Sequence, residues 1–296
     1  MIVSPFDGAG DLDEAAFTRQ SEILRDAGVG IIVGSYGTGE GRMLTRDELR
    51  RMYRLAVTTA GGTVPVVAAG LGLSATGTVI ELANEAHDLG VSAVQIHPPL
   101  GGPVTVTPTA GEISRFYDDV LAEVTGPVVL SNEVMMVAYA IDAALMADLV
   151  TRHSQVVAVN WTDANPGPLV DLMQRVDASA IAVYVGLTAQ LPLALSLGAV
   201  GGVSFEQNII PRTCAAIPAA FAAGDLDAMA AALTRVLRLN IVLAGRHMTP
   251  RSTKAAMSLL GCDSMNMRPP FQALGDAEHA EIAEVLRELG IENTEG

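Results

Sequence analysis

Eight short, apolar, β-branched runs recur along the chain, their starts 21–35 residues apart, and a helical pattern follows each one. They are Met1–Ser4, Gly30–Gly34, Pro65–Gly70, Ala93–His97, Pro127–Ser131, Val156–Asn160, Ala180–Val185 and Gly201–Phe205. That interval is the length of a βα unit. The runs are almost wholly apolar rather than alternating, as parallel strands covered on both faces require. The segments between them carry helix periodicity and start signals. Leu49, Met52, Tyr53 and Ala56 follow a Thr45-x-x-Glu48 capping box; Val79, Leu82, Ala83 and Ala86 follow Thr78-x-x-Glu81; Ile113, Phe116, Tyr117 and Val120 follow Thr109-x-x-Glu112. Leu169, Leu172, Met173 and Val176 make a fourth stripe, and Gly90 is placed to close the second helix. This is the pattern of a (β/α)8 TIM barrel over residues 1–224. Three more helices, about Leu226–Ala244, Arg251–Leu260 and Asp276–Leu289, form a C-terminal extension over 225–296. No linker separates the two, so one structural unit is expected.

The net charge of −15 opposes binding to phosphate backbones or anionic lipid. Cys214 and Cys262 have neither disulfide-framework nor zinc spacing, which fits a reducing cytoplasm. Met1 to Phe6 lacks the basic start and long apolar stretch of a signal peptide. Ala178 to Phe205 carries no charge, long enough to cross a bilayer. Gly186, Gln190, Pro192, Gly198 and Gly201 interrupt it, and a buried strand–helix–strand passage accounts for it better.

Reactive groups in such barrels project from the C-terminal ends of strands. After the second strand, Gly37-Thr38-Gly39 sits in a glycine-rich loop whose N–H groups could converge on an anion such as a carboxylate, with the Thr38 hydroxyl beside them. The same spacing also suits a tight turn needing positive φ. It is not a dinucleotide fingerprint. His97, Glu133, Asp163 and Glu206 each lie just past a strand end. Together they could do acid–base work or hold a divalent metal, although four residues on four loops carry no ligand spacing. The plainer roles are a loop anchor for His97 and solvated rim charges for the glutamates. Trp161 is either a stacking platform or barrel wall.

Ser4-Pro5-Phe6, Gly37-Thr38-Gly39-Glu40, His97-Pro98-Pro99 followed by Pro103, Asn132 after strand five, and Lys254-Ala255-Ala256 come in an order and spacing that resembles the dihydrodipicolinate synthase/N-acetylneuraminate lyase family. The resemblance runs from Met1 to about Phe271. It implies a barrel with three C-terminal helices, usually a homotetramer, that holds pyruvate or another 2-oxo acid as a Schiff base on a strand-six lysine. The family's lysine position aligns with Asn160, within Val159-Asn160-Trp161, and the proton-relay tyrosine aligns with Ser131. Pro99 and Leu100 stand at the paired tyrosines, Met136 at the arginine that greets the second substrate, and Gly37 at a relay threonine. Lys254, the only lysine in the chain, falls where the family has a lysine other than the Schiff-base one. Glu40 corresponds to the loop glutamate.

A carboxamide nitrogen is not nucleophilic, so the resemblance minus its lysine implies a protein that cannot form the imine. The expected activity is lyase-type: carbon–carbon cleavage or condensation, or loss of water, on a small carboxylate-bearing carbonyl compound, without a cofactor. His97 with Glu133 or Asp163 would move protons and Asn160 would hydrogen-bond the carbonyl oxygen. Gly37, Thr38 and Gly39 would hold the anion, with Ser131, Asn132, Trp161 and Glu206 as further substrate contacts and Tyr36 or Tyr139 as substitute phenols. The alternative is a catalytically silent relative, either a 2-oxo acid binder or a partner subunit in a dimer or tetramer. A nucleic-acid-binding role is opposed by charge and motif spacing alike.

Overall fold

The structure is a computed structural model that describes residues 1–71, 75–101, 106–245 and 249–295. Pro103 lies outside the described residues. In chain order the elements are α1 (Glu14–Asp26), β1 (Ile31–Val33), α2 (Arg46–Ala60), β2 (Val66–Leu71), α3 (Thr76–Asp88), β3 (Ala93–Ile96), α4 (Ala110–Glu123) and β4 (Val128–Glu133). A short α5 (Val134–Val137) follows, then α6 (Ala143–Arg152), β5 (Val156–Thr162), α7 (Gly167–Arg175), β6 (Ala182–Val185), α8 (Leu191–Ser196) and β7 (Gly201–Gly202). The chain finishes with α9 (Pro211–Ala222), α10 (Leu226–Gly245), α11 (Arg251–Leu259) and α12 (Asp276–Glu288). The strands form one sheet in sequence order, β1 to β7, with parallel pairing from β3 to β7.

Two compact units divide the chain: Met1–Val67 with Ser204–Gly296, and Ala68–Val203. The first packs Phe17, Leu24, Ile31, Met52, Ile209, Leu243 and Ile282 into its core, and the second packs Val128, Leu130, Val159, Trp161, Val183 and Val185.

Seven of the eight expected strands are present among the described residues. Met1–Ser4 differs: Ile2 N–H donates to Ile32 O at 3.0 Å, but Val3 N–H goes to the Asn208 side chain at 3.1 Å. A side chain takes the bond that a neighbouring strand would need, so no ladder develops. Thr45 and Thr109 form complete capping boxes. Thr78 does not, because α3 begins at Thr76 with Ala75 as its N-cap. The uncharged Ala178–Phe205 passage becomes β6, α8 and β7. No helix among the described residues is long and apolar enough to cross a membrane.

Candidate active site

Strand parity builds the site. Successive side chains alternate faces, and residues paired in register share one. Gln95 is level with Val129 on β4, Ser131 with Asn160 on β5, and Asn160 with Tyr184 on β6. Counting by twos gathers Gln95 and His97, Ser131 and Glu133, Asn160 and Thr162, and Tyr184 on one face of the sheet, all within the second unit. Asn132 and Trp161 have the opposite parity.

Glu133 is the hub. Its Oε1 accepts from Asn160 Nδ2 at 2.8 Å and from Gln95 Nε2 at 3.2 Å. His97 Nε2 lies 3.2 Å from Oε2. Gln95 Nε2 also reaches Ser131 Oγ at 3.1 Å, and Thr162 Oγ1 donates to Asn160 Oδ1 at 3.4 Å. His97 Nδ1 sits 3.4 Å from Leu71 O, so both ring nitrogens face acceptors. His97 is 2% exposed and Glu133 18%, which makes the carboxylate the accessible member of the dyad. Burial alone pushes the Glu133 carboxyl up. The hydrogen bond and charge of His97, with bonds from Gln95 and Ser131, outweigh burial and hold it below the usual carboxylate range.

His97, Glu133, Asn160 and Ser131 are therefore brought together, and four of the remaining candidates are placed elsewhere. Asp163 Oδ1 accepts from Asn165 N at 2.9 Å in a short Asx turn, and among the described residues no hydrogen bond joins it to the Glu133 network. Trp161 is fully buried by its parity and cannot serve as a stacking platform. Asn132 Oδ1 takes Ile141 N–H at 3.0 Å, an anchor for the loop after β4. Tyr139 donates to Pro99 O at 2.6 Å and ties two loops together rather than standing in as a relay. Gln95 and Tyr184 were not singled out from sequence. The available signal was period two: Gln95 lies two residues before His97, and Tyr184 is the polar residue of an otherwise apolar β6. Gly201 is the residue paired with Tyr184 on this face.

The remaining candidates belong to the first unit. Glu206 is buried and accepts from Asn240 Nδ2; burial pushes its carboxyl up. The glycine loop uses three of its N–H groups within the turn. Gly39 N–H goes to Ser35 Oγ at 2.9 Å, Glu40 N–H to Gly37 O at 3.0 Å and Gly41 N–H to Ser35 O at 3.0 Å. Positive φ falls on Gly34 (+78°) and Glu40 (+49°), whereas Gly39 and Gly41 serve closeness: a Cβ at Gly39 would lie 2.8 Å from Ser35 N, and one at Gly41 would strike Gly34 O. Thr38 keeps its hydroxyl 3.4 Å from Thr249 Oγ1. Lys254, 1% exposed, pairs with Glu40, donates to Asn266 O at 2.8 Å and lies 4.3 Å over the Phe6 ring. Among the described residues, no group of three or more His, Cys, Asp or Glu side chains is arranged to hold a metal ion.

Comparison with known proteins agrees with this architecture. The chain is 32% identical over 294 residues to the 4-hydroxy-tetrahydrodipicolinate synthase of Acidiphilium cryptum, covering 98% of this chain and 97% of that one. It is 30% identical to the enzyme of that name from Phenylobacterium zucineum, covering 98% and 96%. A crystal structure of a dihydrodipicolinate synthase from Bacillus anthracis superposes with a TM-score of 0.86 at 26% identity, covering 97% of this chain and 95% of that chain. That from Thermotoga maritima gives 0.91 at 21%, covering 98% and 97%. The model of the dihydrodipicolinate synthetase family matches residues 1–289, and the chain belongs to that family.

Proposed function

We propose that this protein is a lyase-type enzyme acting on a small carbonyl compound that bears a carboxylate, and that it works without a lysine imine. The observation that carries this reading is the Asn160 side chain, bonded to Glu133 on the polar face of β5. An amide nitrogen shares its lone pair with its carbonyl and cannot add to a ketone. The chain's one lysine is occupied by Glu40 and Asn266 O. Asn160 commits one amide hydrogen to Glu133 and has a second to offer a substrate carbonyl oxygen, where negative charge grows as the adjacent carbon loses a proton. Glu133, ionised across neutral pH, takes that proton. Because its proton affinity is low, it returns the proton readily. His97 stands behind it, with Nε2 3.2 Å from Oε2, and fixes its orientation.

Barrel closure and a homo-oligomer, dimer or tetramer, belong to the same proposal. The Ile2–Ile32 bond supports the first, and the exposed Leu226 and Ile241 on α10 support the second.

The test is pyruvate in D2O, followed by NMR, with a parallel borohydride incubation read by mass spectrometry. Methyl-proton exchange with unchanged protein mass is the expected result. A reduced adduct mapped to Lys254 overturns the imine-free reading. Binding of pyruvate without exchange leaves a silent 2-oxo acid binder.

A further inference from the structure

The first unit holds a cavity of about 540 Å³ that contains none of the His97 network. Arg42 and Arg251 line it, with Tyr36, Met43, Met267 and Phe271 as its apolar walls and the buried Glu40 also contributing. We propose that this cavity binds a small organic carboxylate with an apolar body and a neutral hydroxyl group.

Three observations carry the assignment. The chain has 33 acidic residues against 18 basic ones, so carboxylates are abundant. Arg19, Arg50, Arg51, Arg152, Arg175, Arg238 and Arg268 all take one as an ion-pair partner. Among the described residues Arg42, Arg54, Arg115, Arg212 and Arg251 take none, and of these five only Arg42 and Arg251 line the cavity. Arg42 is held by the Tyr36 ring, 5.0 Å from its centroid, and Arg251 Nε is buried without a hydrogen-bond partner among the described residues. Two guanidinium groups left unmatched beside one cavity suit a ligand carboxylate, which guanidinium recognises through paired donors.

The second half of the ligand follows from Glu40. Its carboxylate is paired with Lys254, yet neither oxygen has any other hydrogen-bond donor among the described residues. A buried acceptor without a donor is costly, and a ligand donor would relieve it. An ammonium would bring a second cation beside Lys254, whose charge already answers Glu40. A hydroxyl supplies the bond without that repulsion. The methionines and Phe271 accommodate the apolar body.

Mandelate, phenylacetate and phenylglycine differ only in carrying a hydroxyl, a hydrogen or an ammonium on one carbon. Titration calorimetry of the full chain with each probe tests the proposal. Mandelate is expected to bind, with phenylacetate and phenylglycine each roughly tenfold weaker or worse, the scale of one lost charged-group hydrogen bond. Arg251→Gln and Arg42→Gln should each weaken mandelate by about tenfold or more. His97→Gln should leave mandelate binding intact, which separates this cavity from the proposed reaction site. Both arginines are partly exposed, so these variants fold if the parent does. No mandelate binding at millimolar concentration, equal binding of phenylacetate, tighter binding of phenylglycine, or indifference to both arginine variants each overturns the assignment.

Discussion

Glu40 and Glu133 are both largely buried carboxylates with a basic partner, and their proton affinities move in opposite directions. Burial pushes Glu40 up, and the charge and hydrogen bond of Lys254 do not bring it back. Burial also pushes Glu133 up, yet it finishes below the ordinary range. The difference lies in the donors. Glu40 has the charges of Lys254 and, farther off, Arg268 but no neutral donor, whereas Glu133 collects His97, Asn160, Gln95 and Ser131. Counter-charge without neutral donors offsets only part of the lost hydration, while several directed bonds replace it. Glu40–Lys254 is accordingly a structural pair whose burial pulls the ammonium down as well. Glu133 is a carboxylate kept ionised by its donors while still partly exposed.

The largest expected effect tests the structural half. Lys254→Met leaves Glu40 buried without its partner and should destabilise the protein by roughly 3–5 kcal/mol in urea unfolding. The double variant Lys254→Met, Glu40→Leu should recover much of that loss. A single variant as stable as the parent would mean that the pair is hydrated and the contrast unfounded. Glu133→Gln tests the other half. It keeps shape and removes the base, so proton exchange on pyruvate should fall by about 10²–10³-fold while folding is preserved. Unchanged exchange would return Glu133 to the role of a rim charge.

A subtler change should separate donor count from charge. Gln95→Leu removes two neutral hydrogen bonds from Glu133 and Ser131 and leaves His97 in place. The acid limb of the exchange rate should then move to higher pH, because burial counts for more when donors are fewer. A limb that does not move would assign the low proton affinity to His97 alone.

How much of this was legible in the sequence follows from periodicity. The 21–35-residue recurrence and the apolar runs located seven strands within a few residues, because buried parallel strands announce themselves by composition. His97, Ser131, Glu133 and Asn160 could be chosen by their position at strand ends. Their partition could not, since proximity to a strand end does not say which face a side chain takes. Trp161 and Asn132 were read as ligand contacts and lie on the other face; Gln95 was passed over although it shares a face with His97. In the glycine loop, Gly39 and Gly41 are small because Ser35 and Gly34 press against them, a packing requirement that composition does not distinguish from an anion nest. The Thr78 box failed because α3 begins two residues earlier, at Thr76, behind Ala75, which makes no side-chain cap bond.

The smallest effect is also the most direct measure of the contrast between the two carboxylates. Glu133 has a folded affinity below the ordinary value, so its contribution to stability is complete above the ordinary carboxylate range. It fades as pH falls through the folded value, where the native state must take up the proton it excludes. Glu40 has the opposite sign: the native state holds its proton more tightly than the unfolded chain does. As pH rises through the ordinary carboxylate range, the unfolded chain ionises first, and Glu40 therefore subtracts stability there. Unfolding free energy measured across the acid range should thus lose part of its downward slope in Glu133→Gln. In Glu40→Gln the slope towards low pH should steepen, whatever the change in absolute stability. Parallel slopes in the two variants would show that both carboxylates respond to burial alike, and the extra donors around Glu133 would then have no measurable hold on its proton.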